Sequence, residues 1–236
     1  MIELPGQILV SLLMEMGSKA LTRIVTGSLL LATAQSESKK ETKAYDYFTL
    51  IAGFQKIDED RIERKYQNNT RSHQEEDVFV YSFNGDFIKK ITPKNVIYYG
   101  GEFTHNQVNS NAYGKNILTG SKTSEITRYP NGDNRISSTA FYATLDKLIT
   151  DKVTLNIGGR YSHFFNYSTL TDDTFLNFPF SEIKFNSGAF SGSFSVKYKS
   201  KSGFRTELIG SSGFRSPNVD DYGKVFEKKG VLTIPN

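Results

Sequence analysis

Apolar and polar side chains alternate strictly along Val153-Thr154-Leu155-Asn156-Ile157-Gly158-Gly159-Arg160-Tyr161-Ser162. A second run, from Phe190 to Lys199, has the same alternation. Because successive side chains of a strand point to opposite faces, each run predicts a ribbon with one apolar and one polar side. About ten residues is the length that a tilted strand needs to cross a bilayer, whereas strands of soluble domains usually have about five or six. The pattern therefore predicts transmembrane β-barrel strands.

The composition of the 236 residues is compatible with a barrel and argues against several other classes of protein. The mean hydropathy is −0.43 and no stretch approaches the length of an apolar transmembrane helix. The chain has no Cys, which excludes disulfides and thiolate metal sites. The net charge of +4 comes from scattered basic residues, so we expect no nucleic-acid partner. No catalytic triad, phosphate-binding loop or metal-spaced His/Glu pair occurs, and we expect neither an enzyme nor a cofactor.

The connections between the strand candidates alternate in length. Strands are predicted at 45–57, 77–89, 95–106, 137–149, 152–165, 188–199 and 203–214, with weaker candidates at 7–16 and 21–34. Tight turns are predicted at Ile91-Thr92-Pro93-Lys94, Thr150-Asp151 and Ser200-Lys201-Ser202. Long polar loops are predicted at 58–76, 107–136, 166–187 and from 215 onward. Short turns on one rim and long loops on the other are typical of outer-membrane barrels. We therefore predict an all-β, antiparallel meander of transmembrane barrel strands.

Residues 1–44 allow two interpretations. Lys19 and Arg23 precede an apolar run that ends in Ala32-Thr33-Ala34, so Met16–Ala34 has the features of a secretory signal. The alternative is a further barrel strand, with Ile24, Ser28 and Leu30 alternating against their neighbours. We favour the strand, on the basis of the resemblance described next.

Ser212-Gly213-Phe214-Arg215-Ser216-Pro217-Asn218 closely resembles a segment of TonB-dependent outer-membrane receptors of the Bacteroidetes type. The Gly-Phe-Arg-Ala-Pro-Asn segment of that family is followed by a Gly-Lys-Val/Ile-Phe run, which Gly223–Phe226 matches. Upstream stretches are also similar, in the same order, so that the resemblance covers residue 45 to the end. These stretches are Tyr47–Arg64, Thr127–Gly132, Leu155–His163 and Phe178–Phe180.

The resemblance implies a barrel of about 22 strands around an N-terminal plug, energised through TonB. It implies residence in the outer membrane of a Gram-negative cell, with lipid around the barrel. It also implies uptake of a scarce ligand such as a ferric siderophore or haem. No plug, TonB box or C-terminal closing strand is recognised, so we interpret 45–236 as an internal barrel segment and expect no transport by it alone.

Two other interpretations remain open from the residues alone. One is a passive porin or adhesin-type barrel; a plug and TonB box encoded upstream would argue against it. The other is a soluble all-β binding module, in which the apolar faces would meet in a core. A membrane barrel instead predicts eight apolar side chains on the outer, convex face: Phe79, Tyr81, Phe83, Leu155, Ile157, Phe190, Phe194 and Val196.

Few residues stand out as candidates for binding. Arg215, between a predicted strand end at Phe214 and Pro217, is predicted at the rim, where it could face an anionic ligand or carboxylates of the plug. His73, His105 and His163 could ligate haem iron, although solvated positions are the more common role for such residues.

The acidic residues Asp58, Glu59, Asp60, Glu75, Glu76 and Asp77 bracket one predicted loop. Ca²⁺ binding is possible there, but we favour salt bridges with Arg61, Arg64 and Arg71. Asp172-Asp173 is a weak signal of the same kind. We predict no catalytic residue and no metal site.

Overall fold

The structure, a computed structural model, describes residues 6–14, 21–127, 129, 132–169, 181–217, 226–228 and 231–233. These residues form strands, turns and irregular segments, and no helix among them is long and apolar enough to cross a membrane. The strands are β1 Gly6–Met14, β2 Leu21–Lys39, β3 Tyr47–Lys65, β4 Thr70–Thr92, β5 Asn95–Asn116, β6 Lys122–Ser124, β7 Asp133–Thr150, β8 Val153–Thr169, β9 Glu182–Lys199, β10 Arg205–Ser211, β11 Phe226–Lys228 and β12 Val231–Thr233.

The large sheet is an antiparallel meander, as predicted. Its order is β1-β2-β3-β4-β5-β7-β8-β9-β10, with the short β6 paired to β5, while β11 and β12 form a separate hairpin. The three predicted tight turns are present, at Pro93-Lys94, Asp151-Lys152 and the Ser200–Phe204 segment. Gly203 takes a φ of +90° in the last of these, a left-handed conformation in which a residue without Cβ is unstrained. β2 pairs with β3 along its whole length, so the sheet continues from the first 44 residues into the rest of the chain.

The predicted long loop at 58–76 is wrong. β3 and β4 continue to a tight turn at Tyr66–Asn69, and residues 58–63 pair with residues 72–77. This turn contains no Gly or Pro, and Gln67 takes the left-handed conformation, with φ of +59°. β5 likewise extends to Asn116 and β9 begins at Glu182, so the predicted loops 107–136 and 166–187 both include strand. The polar character of these extensions hid them, because they lack the apolar alternation that marks a lipid-facing strand.

Cross-strand register divides the sheet into two chemically different faces. The eight apolar side chains predicted to share a face do so, which confirms that part of the prediction. We call this the outer face. Phe190 is 82% exposed, and Tyr81, Phe83, Ile157 and Phe194 are about half exposed, so these side chains are not packed in a core.

An uncharged band crosses the outer face from β3 to β9. At the end of the strands nearer the Tyr66–Asn69 turn, the band stops at Lys56, Asp77 and Arg135. At the end nearer the Pro93-Lys94 turn, it stops at Lys89 and Lys147. Twelve residues separate Asp77 from Lys89 along β4. At ~3.4 Å per residue and a tilt of about 45°, that distance corresponds to ~29 Å of height, close to the thickness of a bilayer core.

Aromatic rings line both margins of this band, as in membrane barrels. On the turn side, Phe87 stacks on Tyr99 with centroids 5.3 Å apart and contacts Phe48. On the other side, Tyr81 lies 5.2 Å from Phe54. Next to these aromatic residues, at the edge of the band nearer the Pro93-Lys94 turn, Asp46 accepts hydrogen bonds from the Lys89 ammonium and the Lys90 amide. These bonds hold the pKa of Asp46 below its usual value.

Candidate functional site

The inner face carries two hydrogen-bonded pairs in the middle of the sheet, Asp86 with Tyr142 and Glu102 with Arg160. The Arg160 guanidinium lies 5.7 Å from the centre of the Tyr142 ring, which joins the two pairs. The four residues come from β4, β5, β7 and β8 and share this face by register. The Arg160 guanidinium donates to Glu102 at 2.5 Å and to the Ser162 hydroxyl at 3.0 Å. The Tyr142 hydroxyl donates to Asp86, which also accepts from the Asn84 amide. We call these four residues the inner-face cluster.

Gly100 makes this cluster possible. It stands between Asp86 and Tyr142 in the cross-strand register of β4, β5 and β7. A Cβ at this position would lie closer than 3.0 Å to the Gly85 carbonyl and to the Tyr142 hydroxyl. The missing side chain thus allows Tyr142 to pass over β5 and reach Asp86. The Arg160 and Glu102 side chains remain 38% and 40% exposed, so the cluster is open to whatever fills the inside of the barrel.

Arg215 lies in an irregular segment, Ser212–Pro217, that follows β10. The structure corrects the predicted strand end, because β10 stops at Ser211 and Phe214 lies outside it. Phe214 contacts Phe164 with ring centroids 5.8 Å apart, and the Asn166 amide donates to the Pro217 carbonyl at 2.9 Å. Phe164 and Asn166 belong to the inner face of β8. The segment therefore passes over the inner face, and the Arg215 side chain is exposed there.

The outer end of the β3–β4 hairpin carries three acidic pairs in consecutive register. Asp58 is opposite Asp77, Glu59 opposite Glu76, and Asp60 opposite Glu75. Of the predicted salt bridges, the one between Arg61 and Glu59 forms along β3, where Lys56 also lies 2.9 Å from Asp58. Hydrogen bonds from Ser28 and Lys56 lower the pKa of Asp58. Burial, and then the adjacent Asp58, raise the pKa of Asp77.

Comparison with known proteins identifies the family. The sequence profile described as "TonB dependent receptor-like, beta-barrel" matches residues 28–230. The chain belongs to the TonB-dependent receptor β-barrel family. The crystal structure of the ferric citrate transporter FecA in its unliganded form is similar, with a TM-score of 0.54 and 15% identity. The similarity covers 75% of this chain and 26% of FecA, so the chain spans about a quarter of that protein. No curated protein sequence matches the chain.

The histidines of this receptor chain lie on the outer face rather than the inner one. His105 contacts the Ser137 hydroxyl at 2.8 Å, and His163 lies 3.4 Å from the Tyr161 hydroxyl. Both lie at the edge of the uncharged band that is farther from the Pro93-Lys94 turn. His73 lies beyond the band, at the end of the hairpin, and is 6% exposed. Asp172-Asp173 and the Phe178–Phe180 motif are outside the described residues.

Sequence reasoning did not find the inner-face cluster. Arg160 lies within the Leu155–His163 stretch that resembles the family, but its partner Glu102 is 58 residues away. Glu102 and Asp86 each occupy a polar position in a strand of alternating apolar and polar residues, and this alternation was the available signal. That signal assigns a residue to the inner face without indicating which other residue it contacts.

Proposed function

We propose that the protein containing this chain is an outer-membrane receptor that takes up a scarce ligand, such as a ferric siderophore or haem, with energy supplied through TonB. The observation that carries the proposal is the division of the sheet. One face has a band of bilayer height without charges, and the opposite face has polar clusters that need a polar partner. Residues 45–236 then contribute barrel wall, and β2 extends that wall toward the N-terminus.

Each face has a separate part in this function. The outer face anchors the wall in lipid, because an uncharged band flanked by aromatic rings matches the bilayer core and its interfaces. The inner-face cluster presents Glu102 and Arg160 as exposed hydrogen-bonding groups. In this proposal they pack against the plug, whose TonB-driven rearrangement opens the path for the ligand.

A ferric chelate fits the described residues better than haem does. Imidazole ligands for haem iron would need to face the inside of the barrel, whereas His105 and His163 face outward. Ferric chelates are commonly anionic, and a guanidinium such as that of Arg215 can bind carboxylate or hydroxamate oxygens in a bidentate manner. FecA is described as a ferric citrate transporter, which makes ferric citrate the first compound to test.

Uptake of radioactive iron supplied as ferric citrate or a ferric siderophore tests the proposal. We expect accumulation in cells that express the complete receptor, and its loss when TonB is deleted or the proton gradient is collapsed. Equal accumulation with and without TonB would instead support a passive porin. Binding to the cell surface without accumulation would support an adhesin-type barrel.

Arg215→Ala is expected to lower uptake about tenfold while leaving the abundance of the receptor in the outer membrane nearly unchanged. The reason is that one charge-assisted hydrogen bond to an anion contributes ~1.5 kcal/mol, and inner-face positions affect selectivity more than insertion. Uptake and receptor abundance are measured in the same strain. Arg135→Ala, an outer-face arginine that pairs with Asp133, is the matched control and should alter neither. A parallel fall of uptake and abundance in Arg215→Ala would show that Arg215 only supports the barrel.

A further inference from the structure

The acidic pairs of the β3–β4 hairpin present an electrostatic problem. Carboxylates directly opposite one another in adjacent strands repel and destabilise the pairing. Here three such pairs follow each other, and two of them, Asp58 with Asp77 and Asp60 with Glu75, share the outer face. Lys56 compensates the first of these two pairs. Beside the second pair lies His73, two residues from Glu75 along β4, whose side chain contacts Asp60.

Asp60, His73 and Glu75 form a compact group. One potential ligand atom from each lies within 4.8 Å of the other two. Nδ1 of His73 is 2.9 Å from Oδ2 of Asp60. Two ligands that each lie about 2.1 Å from one ion are ~3.0–3.4 Å apart at octahedral and tetrahedral angles. The Asp60–His73 pair is therefore already close to the spacing of two metal ligands, and a carboxylate oxygen of Glu75 lies within 4.8 Å of both.

Two atoms of this group are buried and have no hydrogen-bond partner among the described residues: Nε2 of His73 and Oδ1 of Asp60. The His73 side chain is only 8% exposed. A buried polar atom without a partner costs roughly 1–3 kcal/mol, so native structures seldom keep one without a reason. An imidazole nitrogen and a carboxylate oxygen are both donors to divalent metal ions, so these two side chains keep unsatisfied ligating capacity beyond the contact between Nδ1 and Oδ2.

The neighbours of the group resemble those that orient metal ligands. The Tyr113 hydroxyl donates to Oε1 of Glu75 at 2.9 Å, and the Asn111 amide donates to Oε2 at 3.1 Å. The Tyr113 ring also stacks on His73, with centroids 4.8 Å apart and an interplanar angle of 8°. Such contacts hold the Glu75 carboxylate and the His73 ring in place. They come from β5, so that three adjacent strand segments contribute to the group.

We propose that Asp60, His73 and Glu75 form a binding site for a divalent transition-metal ion of the Zn²⁺ class, on the outer face of the hairpin beyond the membrane. One nitrogen and two carboxylate oxygens suit Zn²⁺, with water completing its coordination. Ca²⁺ prefers six to eight oxygen ligands and has little affinity for imidazole. The ion would neutralise the Asp60–Glu75 repulsion and hold the end of the hairpin together.

Zinc titration of the complete receptor tests this site. The receptor is purified in detergent without an affinity tag and stripped of metal with EDTA, which is then removed. We expect isothermal calorimetry to show one Zn²⁺ site that His73→Gln and Asp60→Asn each weaken by about a hundredfold or more. Tyr113→Phe, which removes only a contact to a ligand, should weaken it by about tenfold. His105→Gln is the matched control, because His105 lies on the same face of the neighbouring strand and contacts Ser137. It should leave the site unchanged.

Folding of each variant is verified by heat-modifiable migration in electrophoresis. Because three variants are compared, the test still gives a result if one of them fails to fold. Equal Zn²⁺ binding by the wild-type receptor and the folded Asp60 or His73 variants would overturn the proposal. So would binding of Ca²⁺ without Zn²⁺, or an equal loss in His105→Gln. The titration needs no transported ligand, and its outcome is independent of whether the receptor takes up iron.

Discussion

Phe194→Lys is expected to destabilise the receptor by about 2–4 kcal/mol, because a lysine near the middle of the lipid-facing band must enter the bilayer core. Phe194 is 49% exposed on the outer face and lies midway between Phe190 and Tyr198 along β9. At 1.4 kcal/mol for each factor of ten, the ratio of folded to unfolded protein falls by at least ~30-fold. Folding into phospholipid vesicles, followed in a urea titration, measures this loss.

Ser193→Lys provides a closely matched control. Ser193 is adjacent in the same strand and is also exposed, but its side chain points to the inner face. We expect a change within about 0.5 kcal/mol, as for most exposed substitutions. If the two variants lost the same stability, the assignment of the faces to lipid and to the barrel interior would be incorrect.

Gly100→Ala is expected to cost about 1–3 kcal/mol, the usual range for overpacking. The added Cβ would collide with the Gly85 carbonyl, which is backbone and cannot rotate away, and with the Tyr142 hydroxyl. Relief requires Tyr142 to move, which breaks its hydrogen bond to Asp86. The same urea titration in vesicles gives the free energy of unfolding.

Gly159→Ala is the control for this substitution. Gly159 also lies inside a strand, but on the outer face, and a Cβ there meets no atom within 4 Å. Alanine should be neutral or slightly stabilising at this position, because it reduces the freedom of the unfolded chain. A Gly100→Ala variant as stable as Gly159→Ala would show that the inner-face cluster adapts without cost.

Much of the fold follows from local patterns in the sequence. Alternation of period two assigned Leu155, Ile157 and Phe194 to one face, and the register of the sheet confirms that assignment. The turn sequences Ile91–Lys94 and Thr150-Asp151 indicated where hairpins close. Both signals are local, since side-chain direction and turn conformation depend on residues next to one another.

The extension of the β3–β4 hairpin could not be recognised in the same way. From Asp58 onward both faces of β3 are dominated by charged residues, so the alternation that marks a lipid-facing strand is absent. Backbone hydrogen bonds to β4 nevertheless continue to Glu63. Backbone pairing does not depend on an apolar face, so the hairpin continues where the alternation ends.

Sequence alone determined the class of strand, the lipid-facing residues and, through the ordered series of motifs, the family. Tertiary structure decided which polar residues meet. Glu102 and Arg160, or Asp60 and Glu75, become neighbours only through cross-strand register. Register depends on the pairing of entire strands, so a change of one residue would move every side chain to the opposite face. For this physical reason alternation predicts the faces, whereas the inner-face cluster and the proposed metal site had to come from the assembled sheet.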